Sequence, residues 1–160
     1  MDLISSRTIE ITKLGMDGLM DRQQAISSNI ANVQTPYYQR KEVAFESQLA
    51  EIIEKEDLKE FIKGQNSIEY IPPNVDAFTG EVHRYRTPTL QEQAYLQSNI
   101  FDEFKPQYVT DVYSGTNSDG NNVELEREMM DLSKTGTRYL VLSNLERRQF
   151  SELSSVIRGQ

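Results

Sequence analysis

Two amphipathic segments, one at each end of the chain, constrain its fold more than anything between them. From Leu3 to Val33, the apolar residues Ile9, Met16, Leu19, Ile26, Ile30 and Val33 fill six of the eight a/d positions of one heptad frame, with Thr12 and Gln23 in the other two. A period near 3.5 is what a helix needs to keep one seam against another helix along its length. Gly15 and Gly18 each weaken such a helix by about 1 kcal/mol relative to alanine, and in return permit a bend or a close helix approach. The stop is encoded in Ser27 to Tyr38. Asn32 tolerates the left-handed conformation of a helix end, and Pro36 pushes the residue before it out of helical geometry.

The second segment runs from about Val123 to Ile157. Leu125, Met129, Leu132, Tyr139, Phe150, Leu153 and Ile157 share one heptad frame, interrupted by Gly136, Ser143 and Glu146. Val141, Leu142 and Leu145 widen the apolar face midway, and a stripe wider than a/d needs more than one helical neighbour. One chain supplies only one other helix of comparable length.

Between these segments the patterning is weaker. Tyr37 to Lys41 reads as extended or irregular. Phe45 to Phe61 has helical spacing that ends at Gly64, and Thr89 to Phe104 has it again. Pro72-Pro73 and the Thr79-Gly80 turn between β-favouring residues suggest a short hairpin within Ile68 to Arg86. Ser114 to Asn122 is a loop on composition. The expected fold is mainly α, with long N- and C-terminal helices forming an antiparallel coiled coil and a small irregular or β-hairpin middle. Its divisions are 1–36 and 123–160 for the two helices and 37–122 for the middle segment.

Composition narrows the function. The 160 residues are 37% hydrophobic and 26% charged, leaner in core material than a compact fold of this length normally is. A net charge of −8, with 17 basic residues scattered among 25 acids, argues against nucleic acid as a partner. The run from Glu51 to Glu60 contains Lys55 and Lys59 and reads as a solvated helix face with i,i+4 pairs such as Glu51/Lys55. With no cysteine, disulfides, thiolate catalysis and zinc–thiolate sites are excluded. The single histidine, His83, has no second imidazole to share a metal and reads better as a surface or hairpin residue than as a general base. A calcium loop centred on Gly120 fails because its first ligand position is Gly115. No cofactor, metal site or catalytic set is expected, and the chain is not read as an enzyme. No run is long and apolar enough to span a bilayer, and no cleaved leader is expected at the N-terminus.

Asn29 and Asn32 admit two readings. Both are helix-end residues suited to local capping; alternatively their amides reach across a helix interface and fix its register. The C-terminal stripe is likewise an ordinary core or an intersubunit seam, and the shortage of apolar residues in the middle favours the seam. The expected subunit-interface residues are Ile9, Met16, Leu19, Ile26, Asn29, Ile30, Asn32, Val33, Leu125, Met129, Leu132, Tyr139, Leu142, Phe150, Leu153 and Ile157. Side chains covered only when neighbours arrive would couple folding to assembly.

The stretch Ser28-Asn29-Ile30-Ala31-Asn32-Val33-Gln34-Thr35-Pro36-Tyr37-Tyr38 strongly resembles the N-terminal signature of the bacterial flagellar rod and hook proteins. There a long helix ends in Ser-x-Asn-[Ile/Leu]-Ala-Asn-x-x-Thr-Pro-Gly-Tyr. The matching positions are Asn29, Ile30, Ala31, Asn32, Thr35, Pro36 and Tyr38; Tyr37 stands where the family usually has glycine, so another turn is expected there. Ala44-Phe45-Glu46 followed by Leu49 is also similar. Asp119 to Glu128 resembles the segment leading into the last helix of the B-type proximal rod proteins. The resemblance covers about half the chain and implies a structural rod subunit with no catalytic residues. It implies export, unfolded and without a cleaved signal peptide, through the flagellar type III apparatus. It further implies polymerisation through the terminal helices into a hollow, torque-transmitting tube in the periplasmic part of the basal body. The partners so implied are copies of itself, other rod proteins and the membrane-ring adaptor. A cytoplasmic helical adaptor or export chaperone is the alternative.

Overall fold

The computed structural model describes residues 6–66, 89–111 and 117–159. In chain order its elements are α1 (Ser6–Ala31), β1 (Lys41–Ala44), α2 (Glu46–Asn66), α3 (Leu90–Gln97), a 3-10 turn (Ile100–Glu103), β2 (Gln107–Thr110) and α4 (Leu125–Arg158). The expected hairpin and His83 lie outside the described residues, as does the side chain of Ile157. The chain divides into two compact units, one of Met1–Ala50 with Phe104–Gln160 and one of Glu51–Glu103.

In the first unit α1 and α4 run antiparallel. Asn29 meets Glu128, Gly15 meets Leu142, and Thr8 lines a groove with Gln149. At about 1.5 Å per residue the 26-residue α1 is about 39 Å long and the 34-residue α4 about 51 Å. The mainly helical fold with long terminal helices is as the sequence predicts.

The frame of α4 is finer than its apolar period suggests. Leu132 and Tyr139 do turn inward, half-buried, but the fully buried positions of this helix are Glu128 and Thr135. Met129 and Phe150, apolar members of the sequence-derived frame, are exposed. The helix is therefore turned by one residue at alternate seam positions. The reason is chemical: the Glu128 carboxylate has buried partners on the facing elements, described below, and they hold it inside.

α1 is covered on a second side by β1 and the residue after it. Phe45 packs with Leu19, Ala25 and Val43, with Leu49, Phe104, Tyr139 and Leu142 around them. The Phe45 ring meets Phe104 edge-on at 6.3 Å, and the Arg22 guanidinium lies 4.8 Å from its centroid. Gly18 is what admits the ring: a Cβ there would stand 2.5 Å from Phe45 Cδ2. The two glycines of α1 thus serve close approach, Gly18 to Phe45 and Gly15 to Leu142, within an unbroken helix.

β1 and β2 form an antiparallel ribbon in the register Lys41↔Thr110 to Ala44↔Gln107. Sequence alternation over four residues is too short to announce β2. The outward edge of β1 is satisfied by α1 instead of by a third strand. Arg22 donates to the Val43 carbonyl at 2.7 Å, and its fork holds both Glu46 oxygens at 2.6 Å. Hydrogen bonding from Arg22 is the largest reason the Glu46 carboxyl titrates below the ordinary carboxylate range.

The second unit is built on the continuation of α2, where Ile52 is buried, and on α3 and the 3-10 turn with buried Ile100. Thr89 and Glu92 close a capping box at the start of α3. The Tyr95 hydroxyl donates to the Lys55 carbonyl at 3.0 Å.

Candidate functional site

α1 ends at Ala31, where its last carbonyls have no partner within the helix. The backbone N–H groups of Asn32 and Val33 take the Ser28, Asn29 and Ile30 carbonyls, and two side chains hold the helix end and the turn that follows it. The Asn32 amide donates back to the Ser28 carbonyl at 2.8 Å, a local cap. The Asn121 amide, wholly buried, reaches the carbonyls of Asn32, Val33 and Thr35 at 2.9, 3.1 and 2.9 Å, while its own oxygen accepts from the Val123 N–H at 2.7 Å. The turn that leaves the first helix is therefore held by a residue four positions before the last helix begins. Gly120 prepares this loop at φ +77°, with the Tyr37 ring so close that a Cβ would stand 2.7 Å from it.

Asn29 is buried one turn before the helix end. Its amide donates to the Lys41 carbonyl at 2.8 Å, and its oxygen accepts from the Lys41 N–H at 2.9 Å. The side chain thus copies the pairing of a neighbouring strand. The same amide donates to Glu128 Oε2 at 3.0 Å, and the Tyr38 hydroxyl donates to Asn29 Oδ1 at 3.3 Å. Asn29 reaches across the intrachain interface between α1 and α4, whereas Asn32 acts locally.

Glu128, with 0% of its surface exposed, answers two partners at once. Arg40 Nε donates to its Oε1 at 2.5 Å. The Arg40 guanidinium also lies 3.0 Å from Glu42, 3.7 Å from Asp111 and 3.6 Å from Asp131. Burial works against the Arg40 charge, but hydrogen bonding and Coulomb attraction from Glu128, then Glu42, outweigh it and raise its pKa further. Asn122 completes the joint: its oxygen accepts from the Arg40 N–H at 2.6 Å and its amide donates to the Asp111 carbonyl, extending the β1–β2 ladder by one side chain. Apolar periodicity cannot show Arg40, Asn121, Asn122 or Glu128. The one sequence signal was the resemblance of Asp119 to Glu128 to a helix lead-in.

Tyr37 does not adopt another turn, as expected from its replacing glycine; it takes the left-handed conformation itself, at φ 61°. A non-glycine residue there costs about 1–2 kcal/mol. Its side chain is 81% exposed and so recovers little by burial. Tyr37→Gly is expected to raise stability by up to about 1 kcal/mol after the added freedom of the unfolded chain is subtracted. A denaturant midpoint unchanged or lower than wild type would show that the Tyr37 ring on Gly120 matters more than the backbone angle.

The described sequence-derived interface residues fall into three groups. Leu19, Ile26 and Asn29 are buried by the chain itself; Ile9, Met16, Ile30, Asn32, Val33, Leu132, Tyr139, Leu142 and Leu153 are half-buried; Leu125, Met129 and Phe150 are exposed. Alongside the last group stand residues outside that set, Met130, Leu140, Val141 and Leu145, with Leu140 63% and Val141 61% exposed. Apolar side chains thus emerge on the side of α4 away from α1 as well as on its flanks. An open groove of about 340 Å³, lined by Gly15, Leu19, Phe45, Leu49, Val141 and Leu142 together with Glu46, Thr137 and Arg138, adjoins them. No described helix is long and apolar enough to cross a membrane, and no described cluster of acids or histidine could hold a metal ion.

No protein-family model matches the chain. Two curated relatives match it nearly end to end. The flagellar basal body rod protein FlgB of Borreliella burgdorferi is 26% identical over 152 residues, covering 95% of this chain and 96% of that protein. The FlgB of Borrelia hermsii is 28% identical over 157 residues, covering 97% and 98%. With the Asn29–Tyr38 signature built into the joint of a terminal helix pair, and with relatives aligned across both helices, the chain is similar nearly end to end to the flagellar basal-body rod proteins of the FlgB type.

Proposed function

We propose that this structural subunit of the flagellar basal body assembles through the outer face of α4, with the polar joint fixing the register of the helix pair that presents it. The observation that carries this is the row of exposed apolar residues on a helix whose inner face is already occupied. Each large side chain buried there by a neighbour contributes roughly 1.5–3 kcal/mol, so a few suffice for a stable contact. Segments 1–36 and 123–160 then supply the polymerising part, and 37–122 supplies the bracing strands and the second unit. Copies of the chain and other rod proteins build a hollow tube that transmits torque in the periplasmic part of the basal body, next to the membrane-ring adaptor. Delivery is through the flagellar type III export apparatus. A cytoplasmic adaptor or chaperone is disfavoured by the end-to-end similarity to rod proteins.

Val141→Glu with Leu145→Glu tests the reading. Both residues are exposed, so the fold changes by no more than about 0.5 kcal/mol per site. Helicity and secretion are expected to stay at wild-type levels, while recovery in isolated basal bodies and swimming are lost. Normal swimming with the double variant in place would remove the outer face of α4 from assembly. Leu132→Glu or Ile26→Glu would also block assembly, but these residues face the chain's own interior, so their loss would mix folding with docking.

A further inference from the structure

Two left-handed residues meet at the exposed tip of the joint. Tyr37 is at φ 61° and Gly120 at φ +77°, and the Tyr37 N–H donates to the Asp119 carbonyl at 3.1 Å. The Tyr37 ring rests on Gly120 by one edge, since a Cβ there would stand 2.7 Å from Cδ1 and 3.2 Å from Cε1. The rest of the side chain is open to solvent. This is an unfavourable way to place an aromatic ring: the backbone angle strains most side chains, and burial compensates almost nothing. Partners within the chain do not explain it either. The next ring, Tyr38, has the Lys41 ammonium 6.0 Å from its centroid and a hydroxyl bonded to Ser28 and Asn29. Among the described residues Tyr37 has no cation over its ring, no second ring beside it and no partner for its hydroxyl.

The seat on Gly120 fixes the ring before any partner arrives, so docking on it costs little side-chain entropy. Charge identifies the partner. Among residues 34–39 and 117–120 the only charged side chain is Asp119, which is exposed and makes no ion pair among the described residues. The next exposed charges along the chain are Lys41, set over the Tyr38 ring, and Glu124. We infer that Tyr37 and Asp119 form a docking site for a basic side chain, an arginine above all, on a different protein of the basal body. The guanidinium plane stacks on the free face of the ring while its N–H groups reach the Asp119 carboxylate. A second copy is the poorer occupant, because a chain of net charge −8 brings more acid than base to the contact. The inference rests on the rod reading and adds to it a site at the joint, separate from the outer face of α4.

Tyr37→Gly and Tyr37→Asn test it, because both relieve the backbone angle while removing the ring. Purified, each is expected to have a denaturant midpoint above that of wild type. In cells, each is expected to be secreted normally but recovered in isolated basal bodies at about a tenth of the wild-type level or less. A purely structural role for the ring would move stability and recovery in the same direction; docking moves them in opposite directions. Tyr37→Phe keeps the ring face and is expected to retain most of the recovery. Asp119→Asn keeps the oxygen that accepts from the Asn121 N–H but loses the charge, and is expected to lower recovery severalfold. Wild-type recovery of Tyr37→Gly or Asp119→Asn, loss of recovery in Tyr37→Phe, or a Tyr37→Gly midpoint unchanged or lower would overturn the inference. So would self-association of the purified wild-type chain that Tyr37→Gly abolishes, since a second copy would then be the occupant. Wild type in basal bodies separates the two layers: if it is recovered there and Tyr37→Gly equally so, this inference fails and the rod reading stands. If wild type is absent there, both fail.

Discussion

Replacing Glu128 with alanine is expected to lower the free energy of unfolding by about 3–5 kcal/mol, a large part of the total for a domain of this size. The loss comes less from the missing attraction than from what is left behind. Arg40 is buried, with only 5% of its side chain exposed, and its Nε would face a cavity in place of a carboxylate. Asn29 would keep its pairing with Lys41 but lose its hydrogen bond to α4, leaving the Asn121 contacts in the lead-in loop to hold the turn after α1. Arg40→Met combined with Glu128→Leu separates the two contributions. Glu42, Asp111 and Asp131 still face the guanidinium in the single variant, so if the penalty is the buried Nε–H left without an acceptor, the double variant regains most of the stability. Equilibrium urea unfolding followed by circular dichroism measures both. A double variant as weak as the single one would mean that Glu128 acts chiefly through Asn29, as a hydrogen-bond acceptor and not as a counter-ion.

The same residues show what the sequence could and could not disclose. The long helices were legible because burying a stripe against a helix imposes a 3.5-residue period, and a stop before Pro36 was legible because proline constrains the residue before it; the helix ends at Ala31. The seam of α4 was not, since its buried members include Glu128 and Thr135, and an apolar period is blind to a polar residue with a partner 88 positions away. Asn121 and Asn122 read as loop on composition, which is locally right; that they also hold the turn after α1 and extend a strand ladder depends on tertiary placement. β2 spans four residues, too few for alternation to rise above chance. The outer face was half legible: excess apolar residues announced a second neighbour, but only the orientation fixed by Glu128 shows which of them point away from α1.

Phe45→Ala is expected to cost about 3–5 kcal/mol, comparable to the loss of Glu128. The ring is 4% exposed, fills the space over Gly18, meets Phe104 edge-on and carries the Arg22 guanidinium on its face. Gly18→Ala attacks the same contact from the other side. Its methyl group would stand 2.5 Å from the ring, and the repacking it forces is expected to cost about 1–3 kcal/mol despite alanine's better helix propensity. Because each change acts on the volume the other controls, the two should not add. In Gly18→Ala with Phe45→Ala, the new methyl enters the space the ring has left, and the total should fall short of the sum by about 1 kcal/mol or more. A strictly additive double variant would show that Gly18 is required by the helix itself and not by the approach of Phe45. The glycines of α1 would then have to be explained by flexibility, which the unbroken helix from Ser6 to Ala31 gives no reason to invoke.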